Sequence, residues 1–196
     1  NGDPVATIDD GDTILAFNFR ADRMRQISKV FTQPEFNEFK RKEMQVDYLS
    51  FTHYSDEFKF PVVFGPQRLD SVLGSILADN KIPQLRLAET EKYAHVTYFT
   101  NGGYEPPFAL EDRHMIPSPK VKTYDLKPEM SAFEVGEYLV EKLRSEKYGF
   151  IMVNFANCDM VGHTGIMEAA MKAVSTVDCV LSKAIPVAYE KGYDCI

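Results

Sequence analysis

An aspartate and a histidine four residues apart form the pattern in this sequence that most directly indicates metal chemistry. Asp159 and His163 lie in the segment 156–165, which directly follows the apolar run 150–155. One helical turn would place both side chains on the same side, where a carboxylate oxygen and an imidazole nitrogen could share a divalent ion. Mixed oxygen and nitrogen ligands favour Mn²⁺ or Zn²⁺ over Ca²⁺. Two ligands are too few for a closed site, so the alternative of a helix-start aspartate and a packed histidine stays open.

A lysine at the start of a predicted helix is the second candidate. Lys92 follows the turn Glu89-Thr90-Glu91, in which Thr90 is the expected N-cap. A cation in the first turn opposes the helix dipole, whereas free backbone N–H groups attract anions, so a lysine is favourable there when a phosphate lies beside it. Lys92 could then stabilise the charge that develops on a transferring phosphoryl group. The alternative is a surface lysine paired with Glu89 or Glu91.

Two arginines three residues apart form the third candidate. Arg20 and Arg23 lie where a strand predicted over 13–19 is followed by a helix predicted over 21–31. In an open α/β sheet this junction lies at the carboxyl edge, where ligands bind. The two guanidinium groups share a helix face, and their planar shape suits the paired oxygens of phosphate or carboxylate. The alternative is a solvated pair whose partners are Asp22 and nearby glutamates.

The elements that must position these residues alternate between strand and helix, which predicts an α/β architecture throughout. The predicted strands are 13–19, 47–54, 60–64 (an edge strand because of Pro61), 84–88 and 150–155 (buried on both faces of a parallel sheet). The predicted helices are 21–31, 69–77, 90–99, one opened by a capping box at Ser131 with Val135, Leu139 and Leu143 inward, and 166–190 with Pro186 near its end. Long loops are predicted over 104–130 and 156–165, and Gly65-Pro66-Gln67 predicts a domain boundary.

Composition excludes several classes of function. The net charge of −7 argues against a nucleic-acid surface, because such binding needs clustered Lys and Arg. No apolar run approaches the roughly 20 residues that cross a bilayer, so we expect no membrane partner and a cytoplasmic location.

The three cysteines lack a C-x-x-C pair, which argues against a disulfide framework or structural zinc. The other histidines, His53, His95 and His114, are interpreted as structural.

The three candidate segments, together with Thr52-His53-Tyr54 and the run from Ser118 to Ser131, resemble the cofactor-independent phosphoglycerate mutases over essentially the whole chain. The resemblance implies an enzyme that interconverts 3-phosphoglycerate and 2-phosphoglycerate in glycolysis and gluconeogenesis. The implied reaction passes through a phosphoserine and needs no 2,3-bisphosphoglycerate. The implied fold is alkaline-phosphatase-like, with a mainly parallel sheet flanked by helices, plus part of an inserted α/β substrate domain.

The resemblance also implies a role for each candidate residue. Arg20 and Arg23 match the arginines that hold the phosphoglycerate, and Lys92 matches the lysine beside the transferring phosphoryl group. Asp159 and His163 match two ligands of one metal ion in an enzyme that carries two Mn²⁺, with Mg²⁺, Co²⁺ or Zn²⁺ as other options.

The same resemblance implies how the chain is divided and what it lacks. Residues 1–66 would be the end of the inserted substrate-binding domain, and residues 67–196 part of the metal-binding phosphatase-like domain. The nucleophilic serine is absent, so we expect an internal fragment that is inactive alone, from an enzyme that works as a monomer on a small-molecule substrate. The alternatives are a metal-dependent phosphohydrolase or phosphopentomutase of the same superfamily, or a non-catalytic phosphate-binding fragment.

Overall fold

Parallel strand pairing organises both parts of the chain. The computed structural model describes residues 2–65, 69 and 71–196, with the side chain of Asp22 excepted. The chain divides into two units, Asn1–Arg68 and Leu69–Ile196. The boundary predicted at Gly65-Pro66-Gln67 includes residues 66 and 67, which lie outside the described residues.

The first unit is a three-stranded parallel sheet with one helix. Its elements are β1 (Thr13–Ala16), α1 (Ala21–Thr32), β2 (Asp47–Thr52) and β3 (Val62–Phe64), with strand order β1-β2-β3. Its core contains the buried side chains of Ala16, Met24, Tyr48 and Tyr54. The first strand is shorter than predicted, because the side chain of Asn18 accepts a hydrogen bond from the backbone N–H of Arg20 at 2.9 Å and turns the chain. The edge position predicted for the strand after Pro61 is confirmed.

The second unit contains another three-stranded parallel sheet, covered by helices. Its strands are β4 (Gln84–Glu89), β5 (Glu111–Ile116) and β6 (Phe150–Asn154), in the order β5-β4-β6. Its helices are α2 (Leu73–Asp79), α3 (Tyr93–Val96), α4 (Ala132–Ser145), α5 (Asn157–Gly162) and α6 (Met167–Glu190). The prediction of an α/β fold with parallel sheets and flanking helices is therefore confirmed.

The core of the second unit lies between β4 and the helices α4 and α6. Leu85 and Leu87 of β4 are buried in one cluster with α4 side chains, and the inward face predicted for that helix is confirmed. Gly136 of α4 faces Val180 of α6 so closely that a Cβ at position 136 would overlap the valine side chain. The two helices therefore meet at a position where only glycine fits.

Four local predictions were wrong because pairing and packing overrode the local pattern. The strand β6 is half-buried along its length, since it lies at an edge of the sheet, and β4 is the strand buried throughout. The strand β5 occupies part of the predicted loop 104–130, and α5 occupies part of the predicted loop 156–165. The predicted helix 90–99 consists of a 3₁₀ turn, Thr90–Lys92, followed by the short α3.

The predicted capping box at the start of α4 is also wrong. Ser131 is the N-cap residue, but its side chain makes no capping hydrogen bond. Its hydroxyl instead donates to the backbone oxygen of Pro117 at 2.8 Å. A tertiary acceptor has therefore replaced the local one.

The longest helix matches its prediction, since α6 covers Met167–Glu190 and contains Pro186. Across the part of the chain that the structure describes, no helix is both long and apolar enough to cross a membrane.

Candidate active site

The carboxyl edge of the second sheet brings together three of the predicted site residues. Because β4 and β6 are parallel, the turn after β4 and the helix after β6 begin at the same edge, where open α/β sheets bind ligands. The Nζ of Lys92 donates a hydrogen bond to Oδ2 of Asp159, although 67 residues separate them. Oδ1 of the same carboxylate lies 3.3 Å from Nε2 of His163. The cation and the two candidate metal ligands therefore share one small region.

Charge at this edge centres on Asp159. The side chain of Lys92 is only 12% exposed, whereas those of Asp159 and His163 are 51% and 75% exposed. The hydrogen bond from Lys92 lowers the pKa of Asp159, and the nearby imidazoles of His163 and His95 lower it further. The carboxylate is therefore ionised at neutral pH, which is the form that binds a metal.

His95, interpreted from the sequence as structural, also acts on Asp159 at this edge. It is exposed, its ring packs against Phe99 at 5.2 Å between centroids, and it contributes to the low pKa of Asp159. The signal that could have identified it is its position three residues after Lys92, since residues at this spacing share a helix face.

The donor set at this edge fits part of a metal site. Asp159 supplies an oxygen and His163 a nitrogen, a combination suited to transition-metal ions. Within residues 2–65, 69 and 71–196, no group of three or more histidine, cysteine or acidic side chains could hold a metal ion. The two side chains therefore fit as ligands of an open site whose remaining donors would come from elsewhere.

The loop formed by residues 117–131, called the 117–131 loop below, contacts both sides of this edge. On one side, the amide of Asn157 at the start of α5 donates to the backbone oxygens of Pro128 and Glu129, at 2.9 and 2.8 Å. Asn157 is fully buried, so these bonds fix the start of the helix that carries Asp159.

On the other side, the 117–131 loop binds the turn that carries Lys92. The backbone N–H of Ser118 donates to the hydroxyl of Thr90 at 3.1 Å. The hydroxyl of Tyr124 donates to the carboxylate of Glu91 at 2.6 Å. The loop thus connects the Lys92 turn with the helix that carries Asp159.

The predicted arginine pair lies in the first unit, at the start of α1. Arg20 is the N-cap residue, Arg23 is in the first turn, and both are exposed. The buried Tyr54 holds the preceding turn, since its hydroxyl lies 2.6 Å from the backbone oxygen of Asn18, to which it donates. Its own backbone oxygen accepts a bond from Nε of Arg25 at 2.7 Å. The position of the pair is therefore set by a side chain from the segment after β2.

Comparison with known proteins confirms the resemblance seen in the sequence. The chain is 52% identical to 2,3-bisphosphoglycerate-independent phosphoglycerate mutase 2 of Methanosarcina barkeri, over 96% of this chain and 36% of that protein. It is also 52% identical to the 2,3-bisphosphoglycerate-independent phosphoglycerate mutase of Clostridium acetobutylicum, over 94% of this chain and 36% of that protein. The chain therefore spans little more than a third of the length of these curated relatives.

A solved phosphoglycerate mutase structure and a family model also match this chain. A crystal structure of Leishmania mexicana phosphoglycerate mutase at low cobalt concentration superposes with a TM-score of 0.73. That match has 33% sequence identity and covers 96% of this chain and 35% of the Leishmania chain. The model of the Metalloenzyme superfamily matches residues 15–195. Because this match extends over most of its length, the chain belongs to the Metalloenzyme superfamily.

Proposed function

We propose that this chain is an internal part of a 2,3-bisphosphoglycerate-independent phosphoglycerate mutase, which interconverts 3-phosphoglycerate and 2-phosphoglycerate. The observation that carries the proposal is the contact between Lys92 and Asp159 beside His163. An ammonium group next to candidate metal ligands is suited to a phosphoryl group, because both positive centres would face the same oxygens. The names of the relatives, which are about 50% identical to this chain, support the same reaction.

Three side chains of the second unit would act on the phosphoryl group. Lys92 would stabilise the negative charge on the phosphoryl oxygens. The low exposure of the lysine side chain strengthens that interaction, because little water screens the ammonium. Asp159 and His163 would hold one of two divalent ions, proposed to be Mn²⁺, with Mg²⁺, Co²⁺ and Zn²⁺ as alternatives. When bound, the ions would polarise the phosphoryl oxygens and lower the pKa of a nucleophilic hydroxyl.

The arginine pair of the first unit would hold the rest of the substrate. Arg20 and Arg23 offer planar donors that match carboxylate and phosphate oxygens. They would keep the glycerate bound while the phosphoryl group resides on a serine that lies outside this chain. Holding the acceptor in place favours return of the phosphoryl group to the substrate over its loss to water.

The proposal includes the organisation of the parent protein. Residues 1–66 would form the end of an inserted substrate-binding domain, and residues 67–196 part of the metal-binding phosphatase-like domain. The parent enzyme would be a cytoplasmic monomer that acts on a small molecule, without nucleic-acid or membrane partners and without 2,3-bisphosphoglycerate. The 196-residue chain alone would be inactive.

A coupled assay on the intact protein tests this function. With 3-phosphoglycerate as substrate and no added bisphosphoglycerate, we expect formation of 2-phosphoglycerate, its loss in EDTA and its recovery with Mn²⁺. A phosphohydrolase would instead release inorganic phosphate without 2-phosphoglycerate, and a phosphopentomutase would act on pentose phosphates. An intact protein with none of these activities would match the non-catalytic alternative and contradict the proposal.

A further inference from the structure

A fully buried carboxyl group lies immediately before the turn that carries Lys92. Glu89 is the last residue of β4, three positions before Lys92, and none of its surface is exposed. Alternation along the strand places it on the same face as Leu85 and Leu87, which belong to the hydrophobic core. Burial of an ionisable group costs free energy unless hydrogen bonds compensate, so the contacts of this carboxyl group indicate what it contributes.

The carboxyl group of Glu89 binds the 117–131 loop. Its Oε2 accepts a hydrogen bond from the hydroxyl of Ser118 at 2.9 Å. The backbone N–H of Ser118 then donates to the hydroxyl of Thr90 at 3.1 Å, and its side-chain oxygen accepts from the backbone N–H of Glu91 at 3.4 Å. One serine therefore joins the end of β4 to the two residues that precede Lys92.

A second bond from the same loop restrains the turn. The hydroxyl of Tyr124 donates to the carboxylate of Glu91 at 2.6 Å. Burial, reinforced by the nearby carboxylate, raises the pKa of Tyr124 to about 12, so the hydroxyl keeps the proton that it donates. The loop thus binds the turn Thr90–Lys92 at the consecutive residues Thr90 and Glu91. The last residue of the turn, Lys92, donates its own hydrogen bond to Asp159.

We propose that Glu89 is a positioning residue, which holds the Thr90–Lys92 turn through Ser118 so that the ammonium of Lys92 meets the transferring phosphoryl group. This inference rests on the proposed mutase function. Glu89 does not touch the reacting atoms in this scheme. Its effect on Lys92 requires an oxygen at position 89 that accepts the hydrogen bond from Ser118. Displacement of a catalytic group by about 1 Å costs up to about 100-fold in rate, so loss of this bond would be visible in turnover.

A second buried carboxyl group in the same sheet provides a matched control. Glu111, at the start of β5, is 7% exposed and pairs with Nε of Arg113 at 2.6 Å. It also accepts from the amide of Asn101 at 3.0 Å. Glu111 pairs with Gln84 at the start of β4, the edge of the sheet opposite to Lys92, so we assign it a structural role. Glu111→Gln should alter stability and leave kcat unchanged.

The test compares Glu89→Leu with Glu89→Gln in the intact protein. Leucine fills a similar volume without an acceptor, so kcat for 3-phosphoglycerate should fall about 10- to 100-fold, with KM and Mn²⁺ content unchanged. Glutamine keeps an acceptor oxygen for Ser118 and should restore most of the lost turnover. The proposal is overturned when Glu89→Leu retains the parental kcat, or when Glu89→Gln is impaired as strongly as Glu89→Leu.

Two further measurements keep the test decisive. If Glu89→Leu does not fold, Ser118→Ala removes the same hydrogen bond from the other side and carries the same expectation for kcat. Hydrogen exchange of the amides in 90–93 and 117–131 should accelerate in either variant, whatever reaction the protein catalyses. An intact parent that forms no 2-phosphoglycerate would contradict the mutase function alone, whereas unchanged exchange would overturn the positioning role.

Discussion

The ammonium group of Lys92 donates to the carboxylate of Asp159 across 67 residues of sequence. This contact joins the turn after β4 to the helix after β6, and it does so where His163 also approaches the carboxylate. Substitution of each of these groups in turn separates its contribution from that of the surrounding fold.

Lys92→Ala should abolish most turnover while the metal content stays intact. The substitution removes a poorly exposed cation from the transferring phosphoryl group, a loss of about 100- to 1,000-fold in kcat, whereas Asp159 and His163 remain able to bind metal. Steady-state kinetics and metal analysis of the intact protein measure both quantities. The control is Lys147→Ala, since Lys147 pairs with Asp112 near the opposite edge of the sheet. Metal lost together with turnover would contradict the assigned role.

Arg20→Ala should weaken substrate binding and increase hydrolysis. The substitution removes the exposed guanidinium at the start of α1 that is proposed to hold the glycerate. KM should therefore rise, and more phosphoryl groups should be transferred to water. Parallel assays of 2-phosphoglycerate and inorganic phosphate report the two effects. Lys29 lies in the last turn of the same helix and forms a surface ion pair with Glu57. Lys29→Ala should therefore change neither KM nor the release of inorganic phosphate. Unchanged kinetics in Arg20→Ala would remove Arg20 from the mechanism.

The isolated 196-residue chain should bind Mn²⁺ weakly and show no mutase activity. Asp159 and His163 supply two donors, and an open pair of ligands does not hold a divalent ion tightly. Calorimetric titration with Mn²⁺ measures the affinity, and His163→Ala should reduce what binding remains. A tight site for two ions in this chain would contradict the assignment of the missing ligands to other parts of the parent protein.

Glu89→Gln should stabilise the intact protein increasingly as the pH rises above 4.5. Burial raises the pKa of Glu89 above its usual 4.5, so the folded state binds this proton more tightly than the unfolded state does. Ionisation of Glu89 therefore costs the parent stability as pH rises from 4.5 through the folded pKa, a loss that the glutamine variant does not have. Thermal unfolding from pH 4 to pH 8 measures the difference in Tm. A difference that shrinks with rising pH would contradict this sign.

Gly136→Ala should destabilise the second unit by about 1 to 3 kcal/mol, because a new Cβ overlaps Val180 where α4 meets α6. Valine has few alternative rotamers in a helix, so it cannot move aside at low cost. Denaturant unfolding of the intact protein measures the change in the free energy of unfolding. Gly162→Ala is the control, since outside its neighbouring residues and the backbone of its own helix no atom lies within 4 Å of the added Cβ. Equal stability of the two variants would contradict the close helix contact.

Local sequence determined the elements whose pattern repeats along the chain. The apolar spacing in α4 predicts the inward face that Val135, Leu139 and Leu143 occupy, because helical periodicity alone selects the buried side. The unbroken apolar run 150–155 predicted β6, and the short strand predicted over 84–88 corresponds to β4, so the junctions that follow both strands were also predicted. Lys92 and Asp159 could therefore be recognised as candidates from their positions after strands, before any contact was known.

Tertiary structure decided which of these residues meet. The contact between Lys92 and Asp159, and the burial of Glu89 against Ser118, join positions that are 67 and 29 residues apart. The hydroxyl of Ser131 likewise binds Pro117 in place of the local capping partner. Sequence periodicity reports only neighbours along the chain, whereas these bonds depend on which strands pair and at which edge their loops begin, and that order is set by packing of the whole sheet.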